Sequence, residues 1–566
     1  MTPEAHLGRR IIWKAAALAV VSAFVVGSDQ RCTSDLDIPA TRLFEALQSV
    51  SHSAPLTAPR GALPYHWRIF DGNLPPGLAL NSATGQILGT PNEPGAFSFA
   101  AGAAHAEIRR ARPSLRTISL DVKGRQQVQT GLGPLRVAAS NPRYFQDANG
   151  KLVYLAGSHN WTDFQDMIPA PEGKSIGDLG GYSGYLDFLK RHKHNFTRLW
   201  MVEHAWDADN SSFCSPLAYA RTGPGAALDG KPKFQLNRFN QAYFDRLRQR
   251  VAYAQARRIY VAVMLFDAWS TGARGVWNGH PFNLNNNVNG IDGDPDGDEG
   301  IGYHSMTMPA IVALQRAYVR KVIDTVNDFD NVIYEIANEV NASAAWQAYF
   351  IDFVHDYEAT KPKHHPVGTT AGDQATTEVT NQWLMNSSAD WVAPRNEDQD
   401  YLGVATGPPA ANGSKVIITD SDHLPRGSAD MEAWVWKSFM RGLNPVFMDS
   451  LDLASKQQEI VRRAMGQTLT YAKRIDLAHM SPRGDLVSSG YCLANPGREY
   501  LVYSPRGPRL TVNLSGSSGT FTVEWFQPAT GKMASGRRRL LGASASLRAP
   551  FSGPVVLYLV AIGPHR

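Results

Sequence analysis

The sequence predicts a three-module chain, a central (β/α)8 barrel between two β-sandwiches. Residues 133–480 alternate short apolar, β-branched runs with longer amphipathic segments, the pattern of a parallel sheet wrapped in helices. Residues 36–123 and 484–563 instead show short strands broken by Pro and Gly turns. At 566 residues the chain is also too long for one ordinary domain.

At the N-terminus, Arg9 and Arg10 precede a largely apolar run, Ala15 to Val26, which leads into Gly27 and Ser28. A basic start, an apolar middle and a small-residue exit read as a secretory signal peptide over residues 1–28. The run is short for a spanning helix. Cleavage and a secreted or extracytoplasmic location, periplasmic or extracellular, are therefore expected, without stable membrane insertion afterwards. An uncleaved anchor is the alternative. Cys32, Cys214 and Cys492 lie far apart, which leaves neither a disulfide framework nor a zinc motif. Net charge is +5 and, apart from Arg537 to Arg539, the basic residues are scattered, so no nucleic-acid partner is expected.

In the first module, Pro75-Pro76-Gly77 and Ser82-Ala83-Thr84-Gly85 are turns. Leu78, Leu80, Ile87 and Leu88 supply apolar faces to the strands between them. The stretch LPPGLALNSATGQILGTP resembles the immunoglobulin-like module of exported bacterial proteins. That resemblance implies an immunoglobulin-like β-sandwich acting as a spacer or adhesion element.

The middle module supplies eight candidate strands, at 151–161, 195–206, 258–269, 331–340, 365–370, 390–397, 414–423 and 444–450. Helical patterns at 184–195 and 309–330 lie between them. Polar and aromatic residues gather at the C-terminal strand ends, the face on which such barrels carry their chemistry. His159 and Trp161 close the first strand; Arg198 lies in the second, which ends at Glu203 and His204. Asp267 and Trp269 end the third, and Asn338 and Glu339 end the fourth, NVIYEIANEV. Asp420, Ser421, Asp422 and His423 end the seventh, and Asp449 ends the eighth. His280 belongs to the same loop face without an assignable role.

Asn338-Glu339 at a fourth strand end resembles the acid/base signature of glycoside hydrolase clan A, the cellulase-like (β/α)8 enzymes. NPRYFQDANGKLVYLAGSHNW, ITDSDHL and VWKSFMRGLNPVFMDS further resemble exported proteins related to the apiosidase-like and cellulase-like barrels. Glycosidic cleavage needs two carboxyl groups across the scissile bond, about 5–5.5 Å apart for retention and about 6.5–9.5 Å for inversion. The resemblance implies that Glu339 is the general acid/base and that Asn338 binds a sugar hydroxyl. It also implies that Arg198 contacts the nucleophile. The clan carries Glu on strand seven, whereas this chain has Asp420. Asp420 is the first candidate nucleophile, with Asp422 next and Asp449 behind it. Asn396-Glu397 is a weaker second Asn-Glu pair.

Substrate contacts are expected from His159, Trp161, Glu203, Asp267, Trp269, Asp422 and His423, with Trp436 as a further stacking platform. Thirteen Trp and twenty Tyr suit a sugar-binding protein, because flat aromatic faces stack on sugar rings. The expected activity is hydrolysis of O-glycosidic bonds in a poly- or oligosaccharide, cell-surface or matrix glycans included, by a retaining mechanism. The alternative is a non-catalytic carbohydrate- or matrix-binding adhesin on a degenerate barrel, which the Asp in place of Glu favours. No HExxH or GxSxG occurs, so a metalloprotease or serine hydrolase of those types has no support.

No cofactor is required for this chemistry. Asp292, Asp294, Asp296 and Asp298, with Gly297, reproduce the first half of an oxygen-rich calcium loop. The Glu expected at its twelfth position is Tyr303. A structural calcium and a solvated acidic turn are the two readings. The last module, with REYLVYSP, RLTVNLS, GTFTVEWFQPATGK and GPVVLYLVA, resembles the C-terminal domain called collagen-binding in bacterial proteins. Its residues point to a small β-sandwich packed on the barrel, and none of them points to collagen.

Overall fold

A computed structural model describes residues 46–50, 52–56, 65–105, 114–124, 133–209, 211–339, 343–372, 378–395, 410–421, 430–515 and 519–562. The signal-peptide segment, Asn396-Glu397, Asp422 and His423 lie outside the described residues. Among those described, no helix is long and apolar enough to cross a membrane.

Eight parallel strands close into a barrel in chain order. They are β1 (Gly157–His159), β2 (Phe196–Leu199), β3 (Tyr260–Asp267), β4 (Val332–Asn338), β5 (Val367–Thr370), β6 (Trp391–Ala393), β7 (Val416–Asp420) and β8 (Asn444–Met448). The ring shuts where β1 pairs with β8, Gly157 opposite Val446 and His159 opposite Met448. Around it lie α1 (Gly181–Arg191), α2 (Gln241–Ala256), α3 (Pro309–Val326), α4 (Ala344–Glu358), α5 (Asn381–Asn386), α6 (Asp430–Met440) and α7 (Lys456–Ala472). Every residue of β3 and β4 is buried, as strands covered on both faces require. Polar caps start several helices: Asn240 accepts from the Ala242 amide and Ser455 from that of Gln458, while α3 opens on Pro309.

The first three strands are shorter than the sequence suggests, since only the inner residues of those runs join the barrel ladder. Leu152–Val153 leaves it to pair with Phe145–Gln146 in a small sheet, and Leu135, Phe145 and Leu155 pack under the barrel. Two glycines allow close approach inside the ring. A Cβ at Gly157 would meet the Phe196 carbonyl at 1.9 Å, and one at Gly368 would meet the Trp391 ring at 2.1 Å.

Along the inward-facing positions the barrel changes character. Phe196, Ile333, Val416 and Ile418 belong to one apolar cluster at its base. Two residues further along the same faces stand Arg198, Glu335 and Asp420, so an ionic layer sits directly on an apolar one.

Loops at the C-terminal face build a wall of their own. After β2, Trp206–Asp207 and Ser212–Ser215 form a small sheet with Asp166–Ile168, and Tyr219–Ala226 pairs with Pro232–Phe239 as a hairpin. Tyr219, Phe234 and Leu236 of this insertion share a core with Trp277, Phe282 and Tyr303 of the loop after β3.

The N-terminal module stacks a sheet ordered Ala46–Leu47, Ser114–Lys123, Gly95–His105, Tyr65–Gly72 against a sheet of His52–Pro55, Gln86–Gly89 and Leu78–Leu80. Trp67, Ile87, Phe99 and Leu120 fill the space between. It touches the barrel at α2, where His52 Nδ1 lies 3.2 Å from Gln249 Nε2. The C-terminal module is a six-stranded antiparallel sheet that shares a core with a two-stranded one. Trp436, Phe439, Leu469 and Tyr471 of α6 and α7 pack on its Leu501, Tyr503, Phe526 and Val556, making the sandwich part of the barrel's own core. Trp436 is thus corrected from a stacking platform to a fully buried residue of this joint, stacked on Tyr503 with centroids 5.9 Å apart.

Gly368→Ala is expected to cost roughly 1–3 kcal/mol, because the added methyl must displace a buried indole. A fall in calorimetric melting temperature checks it.

Candidate active site

Arg198 organises the mouth of the barrel. It is almost fully buried, and its guanidinium reaches three partners from two other strands. Nε donates to Glu335 Oε2 at 2.7 Å, Nη2 to Glu335 Oε1 and to Asn338 Oδ1, and Nη1 to Asp420 Oδ2 at 2.6 Å. The fork on Glu335 is bidentate, the geometry in which a guanidinium is most firmly oriented. Burial alone would lower the Arg198 pKa. The carboxylates of Glu335, Asp420 and Glu339 reverse that and hold it above the ordinary arginine value.

Asp420 ends β7 and its side chain is 16% exposed, the accessible member of this layer. Beside it, His159 Nε2 lies 3.3 Å from Oδ2 and 3.4 Å from Oδ1. His159 is itself buried, which moves it from the substrate contacts to a support behind the carboxylate. Trp200, just past β2, shelters the group. Its ring is tilted against His159 at 5.6 Å, and the Arg198 guanidinium stands 5.4 Å from its centroid.

Glu339 follows β4 with φ of 54°, a left-handed backbone that a non-glycine residue adopts at a cost of about 1–2 kcal/mol. The Thr370 hydroxyl at the end of β5 accepts its amide hydrogen and itself donates to the Ala337 carbonyl at 3.1 Å. Two strands thus pin the turn that carries Glu339. Its carboxylate charge acts on Arg198, the guanidinium that also holds Asp420.

A second acidic group lies on the neighbouring wall. Glu203 is 12% exposed; it accepts from the Tyr303 hydroxyl at 2.9 Å and lies 3.2 Å from His304 Nε2. Asp267 is buried and saturated, accepting from the Ser270 amide and hydroxyl at 3.0 Å each and from the Glu203 amide at 3.1 Å. That occupancy corrects the expected substrate contact at Asp267 to a scaffold role. Burial, reinforced by the Glu203 charge, raises its pKa well above the ordinary aspartate value.

His280 lines a small cavity with Glu203, Tyr219, Tyr243 and Tyr318, stacked on Trp277 at 4.6 Å. Burial keeps its pKa well below the usual value. Cys214 Sγ lies 3.8 Å from His204 Nε2, superficially a nucleophilic pair. Burial lifts the thiol to about 12 and drops the imidazole to about 4, so both stay neutral and no thiolate forms.

Three further candidates have defined surroundings. Asp449 is buried and forked by Arg462 of α7, Nε and Nη2 each at 2.7 Å, the environment of a structural ion pair. The acidic loop does not gather a ligand set. Among the described residues no group of three His, Cys, Asp or Glu side chains could hold a metal ion. Asp292 instead accepts from the Asp294 amide and Asp298 from the Gly302 amide, which makes it a turn held by its own backbone. Of the aromatic candidates, Trp269 is 60% exposed after β3, while Trp161 is half-buried against the core.

Sequence reasoning missed Glu335, Trp200, Thr370 and Asp163. Glu335 had a signal: a charged residue in the middle of an otherwise apolar buried strand requires a buried partner. Asp163 accepts from the Trp200 amide at 2.8 Å and sets the exit of β2. Burial raises its pKa to about 7.

Residues 201–391 match a family model described as "Domain of unknown function (DUF6298)", and residues 38–117 one described as "Putative Ig domain". The second agrees with the two-sheet N-terminal module. No match to a curated protein was found. Among solved structures, a "putative glycoside hydrolase" from Bacteroides vulgatus aligns with a TM-score of 0.53 and 13% identity, covering 92% of this chain and 100% of that one. A glycoside hydrolase family 5 structure from the same organism aligns with a TM-score of 0.51 and 15% identity, covering 76% and 94%. At such identities the likeness establishes the fold, and the first alignment takes in flanking modules as well as the barrel.

Asp449→Ala is expected to cost about 3–5 kcal/mol by stranding the buried Arg462, measurable as an earlier denaturation midpoint. Asp163, with a folded pKa raised to about 7, favours folding only while it is protonated. That contribution is complete below about pH 4 and is lost as pH rises through 7. Asp163→Asn is therefore expected to gain thermal stability over the parent as pH goes from 4 to 8, with little difference at the acid end. Calorimetry across that range checks it.

Proposed function

We propose that the protein is a secreted or extracytoplasmic retaining glycoside hydrolase acting on a poly- or oligosaccharide. The observation that carries this reading is Asp420 at the end of β7, held by Arg198 from β2, with Glu339 close enough to act on the same guanidinium. A carboxylate fixed by charge-assisted hydrogen bonds and partly open to solvent suits a nucleophile. A second carboxyl on the facing strand end suits an acid/base.

In the first step an Asp420 oxygen attacks the anomeric carbon while the bond from that carbon to the leaving oxygen breaks. Glu339 gives its proton to that oxygen. In the second step Glu339 takes a proton from water, the water oxygen attacks the anomeric carbon, and the ester to Asp420 breaks, restoring both groups. Asn338 uses Oδ1 to receive Arg198, leaving its amide hydrogens for the sugar hydroxyl beside the reacting carbon. Trp269 offers an exposed ring and Glu203 a partly open carboxylate for sugar further along the cleft.

Purified full-length protein screened against plant, bacterial and fungal polysaccharides is expected to cleave at least one class. On that substrate Glu339→Gln and Asp420→Asn should each lose on the order of 100-fold or more in kcat. Proton NMR of the first product should show the anomeric configuration retained. Full activity in Glu339→Gln would overturn the assignment, and an inverted product would remove the nucleophile role of Asp420. Binding on a glycan array without any turnover would select the adhesin reading, which the short Asp side chain on β7 favours.

A further inference from the structure

Glu335 has no place in the two chemical steps, yet it is fully buried and takes two of the guanidinium hydrogen bonds. A lone arginine between Asp420 and Asn338 could satisfy those two partners without it. The second carboxylate needs another explanation.

We infer that Glu335 is a positioning residue that fixes the Arg198 fork and divides its charge, so that Asp420 is held in place without losing its basicity. An arginine paired with Asp420 alone would stabilise that carboxylate strongly and make it a poor nucleophile. With Glu335 in the layer, two carboxylates share one cation, and the like charge of Glu335 works against the stabilisation of Asp420. The bidentate fork on Glu335 sets the guanidinium plane, and that plane aims Nη1 at Asp420 and Nη2 at Asn338. Among the described residues, His159 from β1 and Arg198 from β2 contact Asp420, and Glu339 after β4 acts on the same guanidinium.

The inference rests on Asp420 as the nucleophile of the proposed reaction, but its test reads Asp420 directly and needs no substrate. Full-length protein is made with aspartate labelled by carbon-13 at the side-chain carboxyl, and the Asp420 signal is assigned by its absence in Asp420→Asn. The titration midpoint is then compared between wild type and Glu335→Gln. Glutamine keeps the size of the side chain and leaves Arg198 balanced by Asp420 and Glu339, so the variant is expected to fold. Its Asp420 midpoint should fall by about one pH unit, as expected for removing a nearby like charge. A midpoint that stays within half a unit or rises overturns the inference.

Glu335→Asp keeps the charge but shortens the reach, so its midpoint should stay within half a unit of wild type. A larger fall there overturns the charge-sharing, and this comparison decides the matter if Glu335→Gln does not fold. If the polysaccharide screen yields a substrate, the acid limb of kcat/KM in Glu335→Gln should move down with the midpoint. Should no glycan be cleaved, the glycosidase reading fails while the Asp420 titration still stands or falls on its own.

Discussion

The site depends on one buried cation. Removing a guanidinium from water is expensive, and the cost is offset only if its hydrogen bonds are met by well-placed acceptors. Arg198 meets this by drawing β4 and β7 toward β2 through Glu335, Asn338 and Asp420. The apolar base of the barrel, with Phe196, Ile333 and Ile418 under the charges, keeps that layer dry on one side. The same exclusion of water strengthens every interaction in it.

Around this layer the supports are local and redundant. His159 and Trp200 close over the guanidinium and the Asp420 carboxylate. Thr370 pins the left-handed turn at Glu339 from the next strand. The walls are a separate construction, because loops after β2 and β3 build a shared apolar core before presenting Glu203 to the cleft. A barrel can vary such walls without disturbing the ring beneath them. The C-terminal sandwich differs from both, since Trp436 and its neighbours make it inseparable from α6 and α7.

Much of the site was legible because strand ends are legible. Asn338-Glu339 and Asp420 break apolar runs abruptly, and such breaks mark the rim of a parallel sheet. Arg198, inside the second strand, was legible only through the family resemblance. Residues with identical chemistry and different surroundings were not separable in this way. Asp449 and Asp420 both follow buried strands, and only the approach of Arg462 from α7 makes one of them structural. Asp267 and Glu203 likewise differ through Ser270, whose bonds close off the first of them.

The sequence by itself determined the eight-strand alternation, the β-rich flanks and the strand-end acids, because burial periodicity and turn chemistry are local properties of the chain. Tertiary structure alone decided that Glu335 would share Arg198 with Asp420, that Trp436 would join a domain seam, and that the acidic loop would bind its own backbone. Each of those outcomes turns on which groups lie within a few ångströms after folding. Residues as distant in sequence as Arg198 and Asp420, 222 positions apart, meet only when the barrel closes.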